Sequence, residues 1–296
     1  MNREQQARTE YFHRLHDGPA PLMLPNAWDV ASARVIENAG AKAIATTSAG
    51  MAWSLGYRDG EQMPVQELLA GCKRICRAVK APVTVDIERG YGRDAQDTGD
   101  LVAALIDLGV AGINIEDGTL PGTQTLAHPA VLCARIACAR TIARDHGLRL
   151  FINARIDTYF SQDLAATAKL EETRTRALAY IDAGADGIFV PGLANLQDIA
   201  TLARALPVPL NIYAGYPGAP PSKTLGEHGV RRISLGCGPI QAALAHLARM
   251  ASEAIGEGRY DTMSERMFTV AQANGLFAVA DTNDHDDATH AIAAMT

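Results

Sequence analysis

Short apolar runs rich in Val, Ile and Ala recur along the chain, each followed by a longer amphipathic stretch rich in Ala and Arg. The runs are PLMLP (21–25), AKAIATTS (41–48), APVTVDIE (81–88), AGINIED (111–117), RLFINARID (149–157), DGIFVPG (186–192), VPLNIYA (208–214) and VRRISLG (230–236), eight in all. Each is nearly continuously apolar, which suits strands of a parallel sheet covered by helices. Helical stretches lie between them, among them WDVASARVIENAG (28–40), VQELLAGCKRICRAVK (65–80) and DTGDLVAALIDLGV (97–110). Several close on glycine just before the next run, at Gly40, Gly109, Gly184 and Gly229. Glycine takes the left-handed conformation that ends a helix at no steric cost. Eight strand–helix units predict a closed (β/α)8 TIM-type barrel. An open doubly wound sheet is the alternative; its dinucleotide-binding form needs a GxGxxG after the first strand, and the chain has none there.

The boundaries follow from the same pattern. The whole chain, 1–296, reads as a single barrel domain, with the barrel over about 20–240, additional C-terminal helices over 240–278 and an acidic tail over 279–296. His285 and His290 in that tail admit either a metal site or a solvated end.

Composition narrows the function. A chain of 296 residues, 48% hydrophobic, can bury a full core without disulfides or metal to hold it. A net charge of −6 with no basic stripe argues against a nucleic-acid binder. The N-terminus, MNREQQARTEYFHRLHDG, is too polar for a secretory signal, and no apolar run approaches the ~20 residues that span a bilayer. The expectation is a cytoplasmic protein acting on a small molecule. Five cysteines without CxxC pairing read as reduced thiols.

In a β/α barrel the chemistry stands at the C-terminal ends of the strands. The polar residues there are Thr46, Thr47 and Ser48 on the second run, Asp86 and Glu88 on the third, and Glu116 and Asp117 on the fourth. Asn153, Arg155 and Asp157 end the fifth, and Asn211 and Tyr213 sit on the seventh. Asp86 and Glu88, two apart, are expected to share a face of their strand. Clustered acids need a cation, and oxygen ligands on rigid strands suit Mg²⁺ or Mn²⁺. The competing account pairs these acids with Arg89 or Arg155. The Ser- and Gly-rich stretch after the second run is either an anion-binding nest or an ordinary βα loop. Arg155, in an apolar strand, wants a bidentate anion, either a substrate carboxylate or Asp157.

Taken in order, PNAWD (25–29), TTSAG (46–50), YRDGEQM (57–63), VDIERGYG (85–92), GINIEDG (112–118), NARID (153–157) and FVPG (189–192) resemble the isocitrate lyase/phosphoenolpyruvate mutase superfamily. The resemblance covers about residues 20–240. It implies a barrel, usually a homotetramer (or a dimer) with its last helix exchanged between subunits, acting on 2-oxo acids or their enolates with Mg²⁺. It also implies roles. Asp86 would bind the metal most directly, with Glu88 and Glu116 holding it through waters. Ser48 and the backbone of Ala49 and Gly50 would bind the 2-oxo carboxylate. Asp59 would lie near the metal waters, Arg155 would clamp the substrate or departing group, and Asn211 would line the far side.

The chain departs from the superfamily in three places. The third run reads Asp86-Ile87-Glu88 where many members have Asp-x-Asp, and Arg89 replaces a small residue. The loop after the fourth run, EDGTLPGTQTLAHP, lacks the Lys-(Lys/Arg)-Cys-Gly-His gating motif of the lyases, whose cysteine supplies a proton. It has no Cys or Lys, and its uncharged polar side chains are Thr119, Thr123, Gln124 and Thr125. Cys133 and Cys138 lie beyond it on a helix, as packed thiols. The expected activity is therefore Mg²⁺-dependent decarboxylation of oxaloacetate or a close analogue, which needs no gating cysteine. The alternatives are a 2-methylisocitrate- or dimethylmalate-type C–C lyase, a C–P bond enzyme acting on phosphonopyruvate, and a non-catalytic 2-oxo acid binder.

Overall fold

The computed structural model describes residues 3–118 and 125–277. Nine strand segments pair in parallel: β1 (Leu22–Leu24), β2 (Asn26–Ala27), β3 (Ile44–Thr46), β4 (Val83–Asp86), β5 (Gly112–Glu116), β6 (Phe151–Arg155), β7 (Gly187–Val190), β8 (Leu210–Tyr213) and β9 (Arg232–Ser234). Their order is β1-β9-β8-β7-β6-β5-β4-β3-β2. β1 lies within the first expected run, which ends at Pro25; the strand resumes beyond it as β2, and the proline, with no N–H to give to a ladder, divides the two halves. One half pairs with β9 and the other with β3, so the sheet closes on itself as a TIM-type barrel. The Asn26 amide stitches the seam. Its Nδ2 donates to Thr46 O at 2.8 Å, and its Oδ1 accepts from Leu235 N and Gly236 N at 3.0 and 2.7 Å.

Helices cover the outside, and local chemistry sets their starts. Asp29 caps Val30–Asn38 in a reciprocal capping box with Ser32, and Asp94 caps Ala95–Asp107. The aliphatic positions of the strands, such as Val83, Val85, Ile113, Ile115, Ile152 and Ile212, pack outward into the main core beneath these helices. Phe12, from the N-terminal helix Arg3–Arg14, joins Leu22, Leu24, Ala43, Ala45, Ala111 and Phe151 in a second cluster that plugs the bottom of the barrel.

The strands alternate more than their apolar sequence suggests. Thr84, Asn114, Asn153, Asn211 and Arg232 are all buried on the inner face. Arg232 Nη2 donates to Asn114 Oδ1 at 3.0 Å, and Asn153 Nδ2 donates to the same oxygen at 2.9 Å. β9 and β5 are not neighbours, so the first of these bonds crosses the lumen. The barrel interior is thus polar directly below the strand ends. Burial holds the Arg232 guanidinium down to about 9, against an attraction to Asp86 that raises it.

Beyond the barrel, the expected C-terminal helices are Gly238–Glu257, Asp261–Ser264 and Val270–Gly275. His285 and His290 lie outside the described residues, as do Thr119, Thr123 and Gln124.

Candidate active site

Every acid singled out in the sequence stands at the C-terminal end of the barrel. Asp86 ends β4. Its backbone N–H donates to Thr46 Oγ1 at 3.0 Å, and its Oδ1 accepts from Glu88 N at 3.2 Å. Its Oδ2 lies 3.5 Å from Ser48 N, a long and weak bond. Burial pushes the Asp86 carboxyl above its usual range, with Arg155 opposing.

Glu88 reaches the cluster by a different route from the one expected. β4 stops at Asp86, and Glu88 adopts φ 49°, so strand alternation does not set its direction. Its carboxylate is held at both oxygens: Tyr91 Oη donates to Oε1 at 2.9 Å and Glu61 N donates to Oε2 at 2.6 Å. Burial, then the negative charges of Asp86 and Asp59, push it up to about 7.

Glu116 ends β5. Its Oε2 lies 2.7 Å from Arg155 Nη1, yet that buried oxygen has no well-aligned hydrogen bond. Burial lifts the Glu116 carboxyl well above its usual range; Arg155 pulls the other way, and Asp157, Asp86 and Glu88 add to the lift. Arg155, on β6, grips Asp157 bidentately through Nε and Nη2 at 2.7 and 3.0 Å. Of the two partners expected for Arg155, the structure pairs it with Asp157, and it adds Glu116 on the other edge. Asp117 belongs to a separate network, accepting from Arg176 Nη1 at 3.0 Å, Tyr180 Oη at 2.9 Å and Asp157 N at 3.0 Å.

The remaining expected residues fall around this cluster. Ser48, Ala49 and Gly50 form the first turn of a short helix, Ser48–Ser54, rather than an irregular loop. Gly50 is needed there: a Cβ would sit 2.6 Å from Thr47 Cγ2 and 2.9 Å from Trp28 Cβ. Asp59 is exposed on the following turn, close enough to act on Asp86 and Glu88. Asn211 is fully buried on β8 and donates to Ser234 Oγ at 3.0 Å, leaving its Oδ1 without a partner.

Sequence reasoning missed Glu61, Tyr91 and Arg135. Glu61 accepts from Tyr91 N at 2.7 Å and from Arg89 Nη2 at 2.8 Å, which gives the unexpected Arg89 its partner. Arg135 reaches from the helix Pro129–Asp145 to the carbonyls of Arg89 and Gly92. The first two lie inside motifs already noted, YRDGEQM and VDIERGYG. The signal for Arg135 is a charged residue in a helix face of Leu132, Ile136 and Ala139, all buried.

The donor set can be tested against a metal on charge and geometry. Asp86, Glu88, Glu116 and Asp157 gather around Arg155, with Arg232 below Asp86, and burial raises the carboxyls of Asp86, Glu88 and Glu116. Among the described residues, no three acid, His or Cys groups stand close enough to cage an ion unaided. The oxygen-only donors Asp86, Glu88 and Glu116 would suit a hard divalent cation that keeps part of its water shell. They do not fit a caged structural ion.

The profile of the phosphoenolpyruvate phosphomutase family matches residues 12–255. The chain belongs to the isocitrate lyase/phosphoenolpyruvate mutase superfamily. An uncharacterized protein of Mycobacterium tuberculosis (strain ATCC 25618 / H37Rv) is 40% identical over 249 residues, 82% of this chain and 89% of that one. An oxaloacetate decarboxylase of Rhodopseudomonas palustris (strain BisB5) is 29% identical over 67% of each chain. A crystal structure from Burkholderia cenocepacia J2315 is 40% identical and superimposes with a TM-score of 0.79, covering 84% of this chain and 99% of that one. Superfamily members are lyases and mutases acting on small molecules. No helix of the described residues is long and apolar enough to cross a membrane.

Proposed function

We propose that this protein is a Mg²⁺-dependent carboxy-lyase that decarboxylates oxaloacetate or a closely related 2-oxo dicarboxylate. The observation that carries the reading is the cluster of buried acids at the barrel mouth, where Asp86, Glu88 and Glu116 stand together and, among the described residues, only Glu116 forms an ion pair, with Arg155. Relatives of similar identity include an oxaloacetate decarboxylase and 2-methylisocitrate lyases, and the lack of a gating cysteine in the loop after β5 favours the decarboxylase's bond.

Asp86, Glu88 and Glu116 would hold the cation, which supplies Lewis acidity to the 2-oxo group when bound; Mn²⁺ fits the same oxygen set. The protein's part is orientation and charge. Ser48 and the N–H groups of Ala49 and Gly50, at the start of their helix, receive the 2-oxo carboxylate. Asp59 orders water at the exposed edge. Arg155 already faces two carboxylates and is suited to steering the carboxylate that leaves, while Asn211 offers an unpartnered amide oxygen on the opposite wall. Loss of CO₂ leaves an enolate, and the donors at Ser48 stabilise its charge as it forms. Solvent can then supply the proton, so no cysteine acid is required. The exposed apolar side of the helix Gly238–Glu257 supports assembly as a homo-oligomer, a tetramer or a dimer.

The test is release of pyruvate and CO₂ from oxaloacetate with Mg²⁺ or Mn²⁺, scored against the background reaction of the free metal. Asp86→Ala should lower the rate about 100-fold or more, as expected for removal of a principal electrostatic stabiliser. No protein-dependent release, or full activity in Asp86→Ala, rejects the reading.

A further inference from the structure

Three non-glycine residues among those described have positive φ: Glu61 at 58°, Glu88 at 49° and Tyr91 at 51°. A left-handed backbone is costly for residues with a Cβ and persists only where the surroundings enforce it. The three are not scattered. Glu61 N donates to Glu88 Oε2, Tyr91 Oη donates to Glu88 Oε1, and Tyr91 N donates back to Glu61 Oε1. The strain in the chain is gathered around one candidate metal-holding carboxylate.

Two elements outside the turn enforce this arrangement. From the helix Pro129–Asp145, Arg135 donates Nη1 to Arg89 O and Nη2 to Gly92 O, the second at 2.8 Å. A planar guanidinium that takes two carbonyls of one turn sets the Arg89–Gly90 and Gly92–Arg93 peptide planes, which bracket Gly90, at φ 110°, and Tyr91. From the opposite side, the Glu61 carboxylate takes Tyr91 N and the Arg89 guanidinium. Stability is a poor account of Arg135. It is only 8% exposed, its Nε has no partner, and it makes no ion pair among the described residues. A buried cation of that kind is an expense that a packed apolar side chain would avoid. What it does accomplish is to hold the turn that carries Glu88.

We propose that Arg135 and Glu61 are positioning residues, which lock the Glu88–Gly92 turn so that the Glu88 carboxylate faces the cation site and thereby set its affinity. This rests on the metal-dependent reading above. It adds two residues that reach Glu88 through the turn rather than through the site.

The experiment is a Mn²⁺ titration followed by electron paramagnetic resonance, on the full chain and its variants, with hydrogen exchange of the same proteins in chelator. Arg135→Met should weaken Mn²⁺ binding about tenfold or more, the range for groups that orient a metal-holding side chain. Arg135→Lys, keeping one donor, should recover part of it. Glu61→Ala, in a half-buried turn outside the barrel, should weaken binding in the same direction and stands in if Arg135→Met does not fold. Amides of residues 88–92 should exchange faster in both variants, while those of the strands do not change. Mn²⁺ affinity within about twofold of the parent in folded Arg135→Met and Glu61→Ala overturns the proposal, whatever happens to their melting temperature. Asp86→Ala separates the two ideas. If it binds Mn²⁺ like the parent, the metal reading itself falls; if it alone loses binding, the metal reading stands and the positioning role falls.

Discussion

Glu88 is where backbone strain, burial and charge meet in one residue. Its carboxyl sits at about 7 because burial and the neighbouring Asp86 and Asp59 penalise the ionised form, while in an unfolded chain it returns to about 4.5. The folded state therefore binds this proton more tightly. The stability it lends is full below about 4.5 and is lost as pH rises through about 7. At 1.36 kcal/mol per pH unit the effect is of order 3 kcal/mol. In chelator, urea unfolding of the parent should weaken more steeply between pH 5 and 8 than that of Glu88→Gln. Parallel pH profiles for the two proteins would show that Glu88 carries no such penalty. Adding Mg²⁺ should flatten the parent's profile, because a bound cation favours the ionised carboxyl.

At the scale of elements, the strand–helix alternation was legible because outward strand positions and inward helix faces are both apolar, so periodicity and composition agree. All eight expected runs contain strand. Two things were hidden. The split of the first strand depends on Pro25 and on a side chain, Asn26, whose partners lie 20 and about 210 residues away. No local pattern reports such a bond. The path of Glu88 was hidden because two-residue spacing fixes a face only while the strand continues, and β4 ends at Asp86. The acids themselves were legible as polar residues ending apolar runs, whereas Arg135 was not, since it acts from a helix 46 residues beyond the carbonyl it holds. The seam gives a direct test. Asn26→Ala removes an acceptor from two N–H groups and a donor from one carbonyl. With one or two buried groups left unsatisfied, the loss should be about 2 kcal/mol or more. A urea midpoint unchanged at constant m-value would mean that the ladders alone close the barrel.

For the molecule as a whole, the helix Gly238–Glu257 is the part that the barrel does not explain. It runs 20 residues and buries only Ile240. Leu244, Leu247, Ala251 and Ile255 follow one another at helical spacing, and Leu244, Leu247 and Ile255 are 48%, 55% and 88% exposed. An amphipathic helix keeps an apolar stripe because something covers it, and a 20-residue stripe left in water would be a patch uncommon on monomers. The proposed homo-oligomer supplies the cover, through an isologous or exchanged contact in which the stripe meets a second copy. Light scattering should then give a mass that is a multiple of 31.5 kDa at micromolar concentration. Leu244→Glu with Leu247→Glu should lower that mass, because two charges would have to be buried unpaired. The barrel should keep its far-ultraviolet circular dichroism in the variant, since neither side chain contributes to its core. A monomeric parent would show that the stripe is covered by something other than a second copy, and an unaltered mass in the double variant would place the subunit contact elsewhere.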